Sequence, residues 1–455
     1  MRLFSFAAAL AVAAATPLTA QTFPTADPVL EQIWREGMER SRLETLAQAL
    51  LDSIGPRLTG PPGMHSANDW AVRTYASWGI EAWGPGTARG RPVEGPVVLL
   101  PVVANSAAFA AWLPSVRDRF IALSFPEPTC RPDENFEEWG AGGTLGRMRE
   151  ARRTAAAAWA VRIDRTGYAP ASLPAALERA GARGILTLRW SRGWGVNKIF
   201  QARTERIPTV DLSCEDYGLV ARLAERGQGP VLRVAADAEF LGDVPTFNTI
   251  AVIPGTERPD EYVMLSAHYD SWDGASGATD NGTGSVTMME AMRILQTTYP
   301  NPKRTIIAAL WSGEEQGLNG SRAFVTDHPE VVNGLQALFN QDNGTGRIRN
   351  ISMQGLVGAG THFARWFAAI PGELTGEIEL RIPGTPGGGG SDYASFVCAG
   401  APGFSLSSLS WDYGTYTWHK DPERVPRERR VLPVNQRTGR QRSWPECRDG
   451  AREWR

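Results

Sequence analysis

Residues 262–284 read YVMLSAHYDSWDGASGATDNGTG. The apolar run from Tyr262 to Ala267 has the length and continuity of a strand buried on both faces, and it delivers His268, Tyr269 and Asp270 to its end. A glycine-rich loop, Gly274 to Gly284, follows and carries Asp280. Met288, Met289, Met292 and Leu295 then recur at helical spacing. This predicts a helix over Gly284 to Leu295, with its methionines in the core rather than around a cofactor.

Downstream the pattern repeats. The strand expected over Thr305 to Trp311 is followed by Glu314 and Glu315, and that over Leu335 to Asn340 by Gln341, Asp342 and Asn343. Strands alternating with helices imply an α/β fold, a mostly parallel mixed sheet flanked by helices. Ends of such strands are where open α/β sheets place ligands. Several carboxylates gathered at the end of a buried sheet are costly unless a cation neutralises them. Histidine with carboxylate and no thiolate suits zinc or a related first-row ion. His419, after an aromatic loop, adds a second imidazole. Singly these signals are weak, because an HxD arises by chance and a Glu-Glu pair is usually a solvated helix face. Order, spacing and strand-end context give them weight.

The chain has 455 residues, 42% apolar and 21% charged, enough for two or three buried cores. A net charge of -2 argues against a nucleic-acid partner or an anionic membrane surface and leaves a small molecule as the expected ligand. Arg2, the apolar run Leu3 to Ala15 and the small residues up to Ala20 read as a signal peptide, residues 1–20, cleaved near Ala20. The mature protein is then secreted or periplasmic, without a membrane anchor. Export permits disulfides among Cys130, Cys214, Cys398 and Cys447, whose pairing stays open.

Residues 21–103 read as the N-terminal part of the catalytic domain, with helical patterns through Leu30, Ile33 and Trp34, through Leu43 to Leu51, and through Ala71, Tyr75 and Trp78, broken at Gly55 to Gly60. Residues 104–243 read as an inserted domain. Within it Ala141 to Gly146 is expected to be loop, Ala155 to Val161 to lead into a strand, Leu173 to Ala182 to be a helix, and Gly184 to Leu188 and Ile207 to Leu212 to be strands. Residues 244–419 hold the catalytic motifs. Residues 420–455 form an arginine-rich tail with no extended apolar stripe.

The blocks VMLSAHYDSWDGASGATDNGTG, ALWSGEEQGLNGS, FNQDNGTG, GGGGSDYASF and YTWH resemble the M28 family of co-catalytic zinc peptidases, and within it the carboxypeptidase Q group. The resemblance runs from Pro56 to His419 and is most specific between His268 and Asp342. It implies the zinc exopeptidase fold and two zinc ions bridged by Asp280, with His268 and Asp342 completing one site and Glu315 and His419 the other. Asp270 would hold the His268 ring. Glu314 matches the general base. A cis peptide after Asp280 is a further expectation. The inserted segment resembles a smaller β-rich protease-associated domain that frames the cleft. A peptide or dipeptide substrate follows, and a homodimer is an allowed assembly. Amino- and carboxy-terminal action stay open, as do a non-catalytic module of this fold and a single-zinc glutaminyl-cyclase-like transferase. The tail departs from the family after His419, where Lys420, Asp421 and Pro422 stand in place of the usual motif. An altered C-terminus is the expectation that accounts for it.

Gly387 to Gly390, before Ser391 and Asp392, reads equally as a mobile substrate loop or an ordinary surface loop. Trp411, Tyr413, Tyr416 and Trp418 are expected to pack in the core, with a specificity pocket as the alternative. His65, His328 and His362 read as surface or packing residues.

Overall fold

Two sheets organise the chain in the computed structural model, which describes residues 27–55, 57, 62–78, 93–200, 202–234, 245–272, 276–387 and 389–419. The signal-peptide and tail readings lie outside these residues.

The first sheet has five strands: β1 (Val93–Leu99), β2 (Phe120–Ala122), β3 (Gly184–Thr187), β4 (Thr209–Asp211) and β5 (Val231–Val234), in the order β4-β3-β2-β1-β5. All pairs are parallel except β1 with β5. Its first strand lies ahead of the boundary drawn at residue 104. Helices cover it, and Phe109, Ile121, Trp159, Leu177 and Ile185 form one core while Phe120, Leu186, Val210 and Tyr217 form another. A Cys130–Cys214 disulfide closes this unit, and Cys398 is not a free thiol. The strand expected near Ala155 to Val161 is absent; a helix spans Thr144–Asp164 instead. Ala155 to Ala158 explain the difference, because alanine has the highest helix propensity and no branched side chain to favour a pleat.

The second sheet has seven strands: β6 (Thr249–Ile253), β7 (Arg258–His268), β8 (Arg304–Trp311), β9 (Leu335–Asn340), β10 (Ile348–Ser352), β11 (Glu379–Arg381) and β12 (Gly403–Ser408). Their order is β11-β10-β12-β9-β7-β8-β6, and β7, β8, β9 and β12 run parallel. Side chains of β8 alternate between two cores, as a pleated strand requires. Ala308 and Leu310 meet Leu50, Tyr75, Met288, Met289 and Met292, while Ile307, Ala309 and Trp311 meet Phe324, Leu338 and Phe396. The methionine helix spans Thr283–Thr298 and is core, as its spacing predicts. The parallel register sets His268 beside Trp311 and Ser266 beside Asn340. The residues that follow these strands therefore emerge at one edge.

Candidate metal centre

That edge gathers the acidic and imidazole residues. His268 ends β7 and is buried, with Nε2 3.3 Å from Asp280 Oδ1 and 3.3 Å from Asp342 Oδ1. Asp280 turns its other oxygen to His419, whose Nε2 lies 3.6 Å from Asp280 Oδ2 and 3.0 Å from Glu315 Oε2. The carboxylate of Asp280 thus stands between two imidazoles. Oxygen and nitrogen donors of His268, Asp280 and Glu315 lie within 4.8 Å of one another.

Several local devices place these groups. The Asp280–Asn281 peptide is cis, as the family resemblance implied. Asn281 Nδ2 donates to the Gln341 carbonyl at 2.7 Å, and Ser285 Oγ donates to that of His268 at 2.7 Å, fastening the helix start to both strand ends. Gly284 is required there, since a Cβ would meet the Gln341 carbonyl oxygen at 2.5 Å. Asp270, fully buried, accepts from the Glu314 N–H at Oδ1 and the Glu315 N–H at Oδ2, both at 3.2 Å. Its carbonyl oxygen is 3.0 Å from His268 Nδ1, closer than its carboxylate at 3.6 Å. One aspartate therefore links the imidazole to the Glu314–Glu315 turn.

The electrostatics are those of a site short of positive charge. Burial pushes the Glu314 and Glu315 carboxyls well up, and neighbouring carboxylates add to it: Asp342 for Glu314, Asp280 for Glu315. His268 is held well above its ordinary value although burial opposes this, because Asp342 and Glu314 face it. His419, with less such support, is pushed down by burial. Buried Glu315 Oε1 has no hydrogen-bond partner. A cation among these donors would neutralise the carboxylates and occupy that lone pair, and the mixed nitrogen and oxygen set fits zinc.

Other residues complete the surroundings. Arg57, fully buried, donates to the carbonyls of Tyr269, Gly55, Ser276 and Gly277 at 3.0, 2.7, 2.7 and 2.9 Å, so it clamps the Asp280 loop to the end of β7. In the sequence its segment reads only as a break between helical patterns, and a lone arginine inside that glycine-proline break is the available signal. The Ser391 hydroxyl supports Asp342 and accepts from Asn340 Nδ2 at 2.8 Å, while Asp392 beside it is fully buried. Gly387 donates its N–H to Gln354 at 2.7 Å, and Gly388 lies outside the described residues. His328 is exposed beside Glu330, and His362 contacts Trp366.

The aromatic segment before His419 is not core. Trp411 is 75% exposed and Tyr416 40% exposed, because the segment folds as a short turn over the cleft rather than as an element with two covered faces. Tyr413 instead turns its phenol to the site, hydrogen-bonded to Asp280, where burial and then Asp280, Asp342 and Glu315 push its pKa well up. A cavity of about 100 Å³ opens beside the centre, lined by Trp272, Ser276, Asp280, Glu315, Tyr416 and His419 among others. The unit built on the first sheet reaches the same place. Ile199 exchanges hydrogen bonds with His419, and the Phe200 ring lies 4.7 Å from the imidazole.

This geometry is that of a candidate metal centre on an α/β fold, and residues 248–428 match the model of Peptidase family M28. Among curated relatives, carboxypeptidase Q of Mus musculus is 32% identical over 221 residues, 48% of this chain and 45% of that protein. Carboxypeptidase Q of Homo sapiens is 32% identical over 47% of this chain and 44% of that protein. The chain thus spans less than half the length of these relatives. A peptidase M28 precursor from Shewanella amazonensis superposes with a TM-score of 0.61 at 21% identity, over 86% of this chain and 90% of that one. The zinc aminopeptidase BSAP from Bacillus subtilis does so with 0.53 at 15% identity, over 83% and 87%. These two likenesses establish the α/β fold. No helix among the described residues is long and apolar enough to cross a membrane.

Proposed function

We propose that the chain is a secreted or periplasmic di-zinc exopeptidase that hydrolyses dipeptides or short peptides in the manner of a carboxypeptidase or dipeptidase. The observation carrying this reading is the Asp280 carboxylate, with one oxygen toward His268 and the other toward His419. His268 and Asp342 would hold one zinc, Glu315 and His419 the other, and Asp280 would serve both. Bound zinc supplies Lewis acidity, which polarises an amide carbonyl and acidifies water. Glu314, half-buried and with its proton affinity raised, suits the base that takes a proton from water and returns it to the leaving amine. Asp270 orients this base through the Glu314 N–H. Residues 93–234, the first sheet with its helices, would form the inserted unit that frames the cleft.

Zinc content together with hydrolysis of a dipeptide panel tests the proposal. About two zinc ions per chain are expected, with cleavage lost by roughly 100-fold or more in Glu314→Gln. A zinc-free, inactive wild type would favour a non-catalytic module, and an active Glu314→Gln would remove the base assignment. Aminopeptidase action by the same centre is the second reading, favoured by the acidic lining of the cavity beside His419.

A further inference from the structure

The wall of the cleft contributed by the inserted unit carries charge of the opposite sign to the centre. Lys198 extends over the Trp418 ring, with Nζ 4.0 Å from its centroid, and the Trp418 ring lies 4.6 Å from that of His419. Phe200 packs on the same imidazole. Among the described residues, no carboxylate pairs with Lys198. Its half-buried ammonium instead faces the like charge of Arg192, and its proton affinity is lowered by burial and then by that arginine. Neighbouring Arg189 differs, since Asp211 lies 3.9 Å from it. A half-buried cation over one aromatic ring, two rings from the metal cluster and with no protein carboxylate paired to it, is available to an anionic group of a ligand.

The cavity lined by Trp272, Ser276 and Tyr416 has no lysine or arginine in its wall. It suits a side chain or an amine, and a carboxylate is better placed toward Lys198. Two extended residues span about 7 Å, so a short peptide reaching from the zinc-binding cluster extends its end to this wall.

We propose that Lys198, assisted by Arg192, recognises the free C-terminal carboxylate of the peptide substrate, making this centre specific for the carboxyl end. The inference rests on the peptidase reading and assigns the substrate terminus. It is tested with the zinc-loaded full chain and one peptide in three forms: unblocked, N-acetylated and C-amidated. The wild type should cleave the two free acids and disfavour the amide. Lys198→Met should lose about 10- to 100-fold in kcat/KM on the free acids, mainly through KM, while cleavage of the amide and zinc content stay unchanged. Lys198→Arg should retain the preference for acid. An unchanged acid-to-amide ratio in Lys198→Met, or equal cleavage of acid and amide by the wild type, overturns the assignment. If the wild type cleaves none of the three, the peptidase reading itself fails. Calorimetry with the same acid and amide then judges Lys198, and equal affinities overturn it.

Discussion

His419 Nδ1 lies 3.1 Å from the carbonyl oxygen of Ile199, and the Ile199 N–H donates to the His419 carbonyl at 2.7 Å. The last imidazole of the centre is therefore seated by the unit of the first sheet rather than by the sheet that carries His268. A carbonyl on Nδ1 leaves Nε2 free for a metal and fixes the ring's orientation. Ile199→Pro removes the donating N–H and shifts this seat. Zinc affinity, measured by competition with a chelator, should fall by about 10- to 100-fold at one of two sites. Affinity equal to wild type at both sites would show that His419 orients itself.

Asp270 makes no direct claim on substrate, yet it receives two successive backbone N–H groups from the Glu314–Glu315 turn. Asp270→Asn keeps the size but replaces one acceptor oxygen with a donor, so one buried N–H faces an NH2 group. The expected cost is about 1–3 kcal/mol in stability and a fall in kcat larger than any change in KM. Melting temperature and steady-state kinetics check both, and an unaltered kcat would exclude Asp270 from positioning the base.

The legible part of this centre is what lies at strand ends. His268, Glu314, Glu315 and Asp342 follow short apolar runs directly, and parallel pairing of those runs is enough to bring them together. The remainder depends on contacts distant along the chain. Arg57 meets Tyr269 across 212 positions and His419 meets Ile199 across 220, and neither pair shares a periodic pattern that would reveal it. The helix Thr144–Asp164 was missed for a local reason. Its scattered arginines and the run Ala155 to Ala158 carry little amphipathic signal, so propensity alone decides it. The aromatic run before His419 misled because bulky rings usually mark a core, whereas here they roof a cleft.

Arg57 tests how strongly the Asp280 loop depends on one side chain. Its guanidinium satisfies carbonyls at Gly55, Tyr269, Ser276 and Gly277, and no other residue type presents donors in that fan. Arg57→Met leaves these acceptors unpaired and should destabilise by about 3–5 kcal/mol. Arg57→Lys should recover part of the loss. Denaturant unfolding measures stability, and zinc retention at low free metal reports the loop. If Arg57→Met matched wild type in both, the loop would owe its position to the Asn281 contacts alone.

A last prediction concerns acid. Arg293 joins the helix Thr283–Thr298 to the helix Pro28–Met38, with Nη1 3.1 Å from Glu36 and Nε 2.9 Å from Glu290. Arg40 also pairs with Glu36 at 3.0 Å, and the Arg42 N–H donates to Glu290 at 2.9 Å. The Arg293 hydrogen bond holds Glu36 below its ordinary value of 4.5. Burial would raise Glu290, but Arg293 and the Arg42 N–H outweigh it and lower that carboxyl also. Because both folded-state values are depressed, the unfolded chain binds protons more readily below pH 4.5. The stabilisation is therefore complete above that value and is lost as pH falls through the depressed values. Arg293→Met removes the cause of the depression, so its melting temperature should fall less steeply than that of wild type between about pH 5 and pH 3. Any loss of bound metal in acid would be common to both proteins and would leave this difference intact. Parallel melting curves across that range would show that the two helices dock without help from these charges.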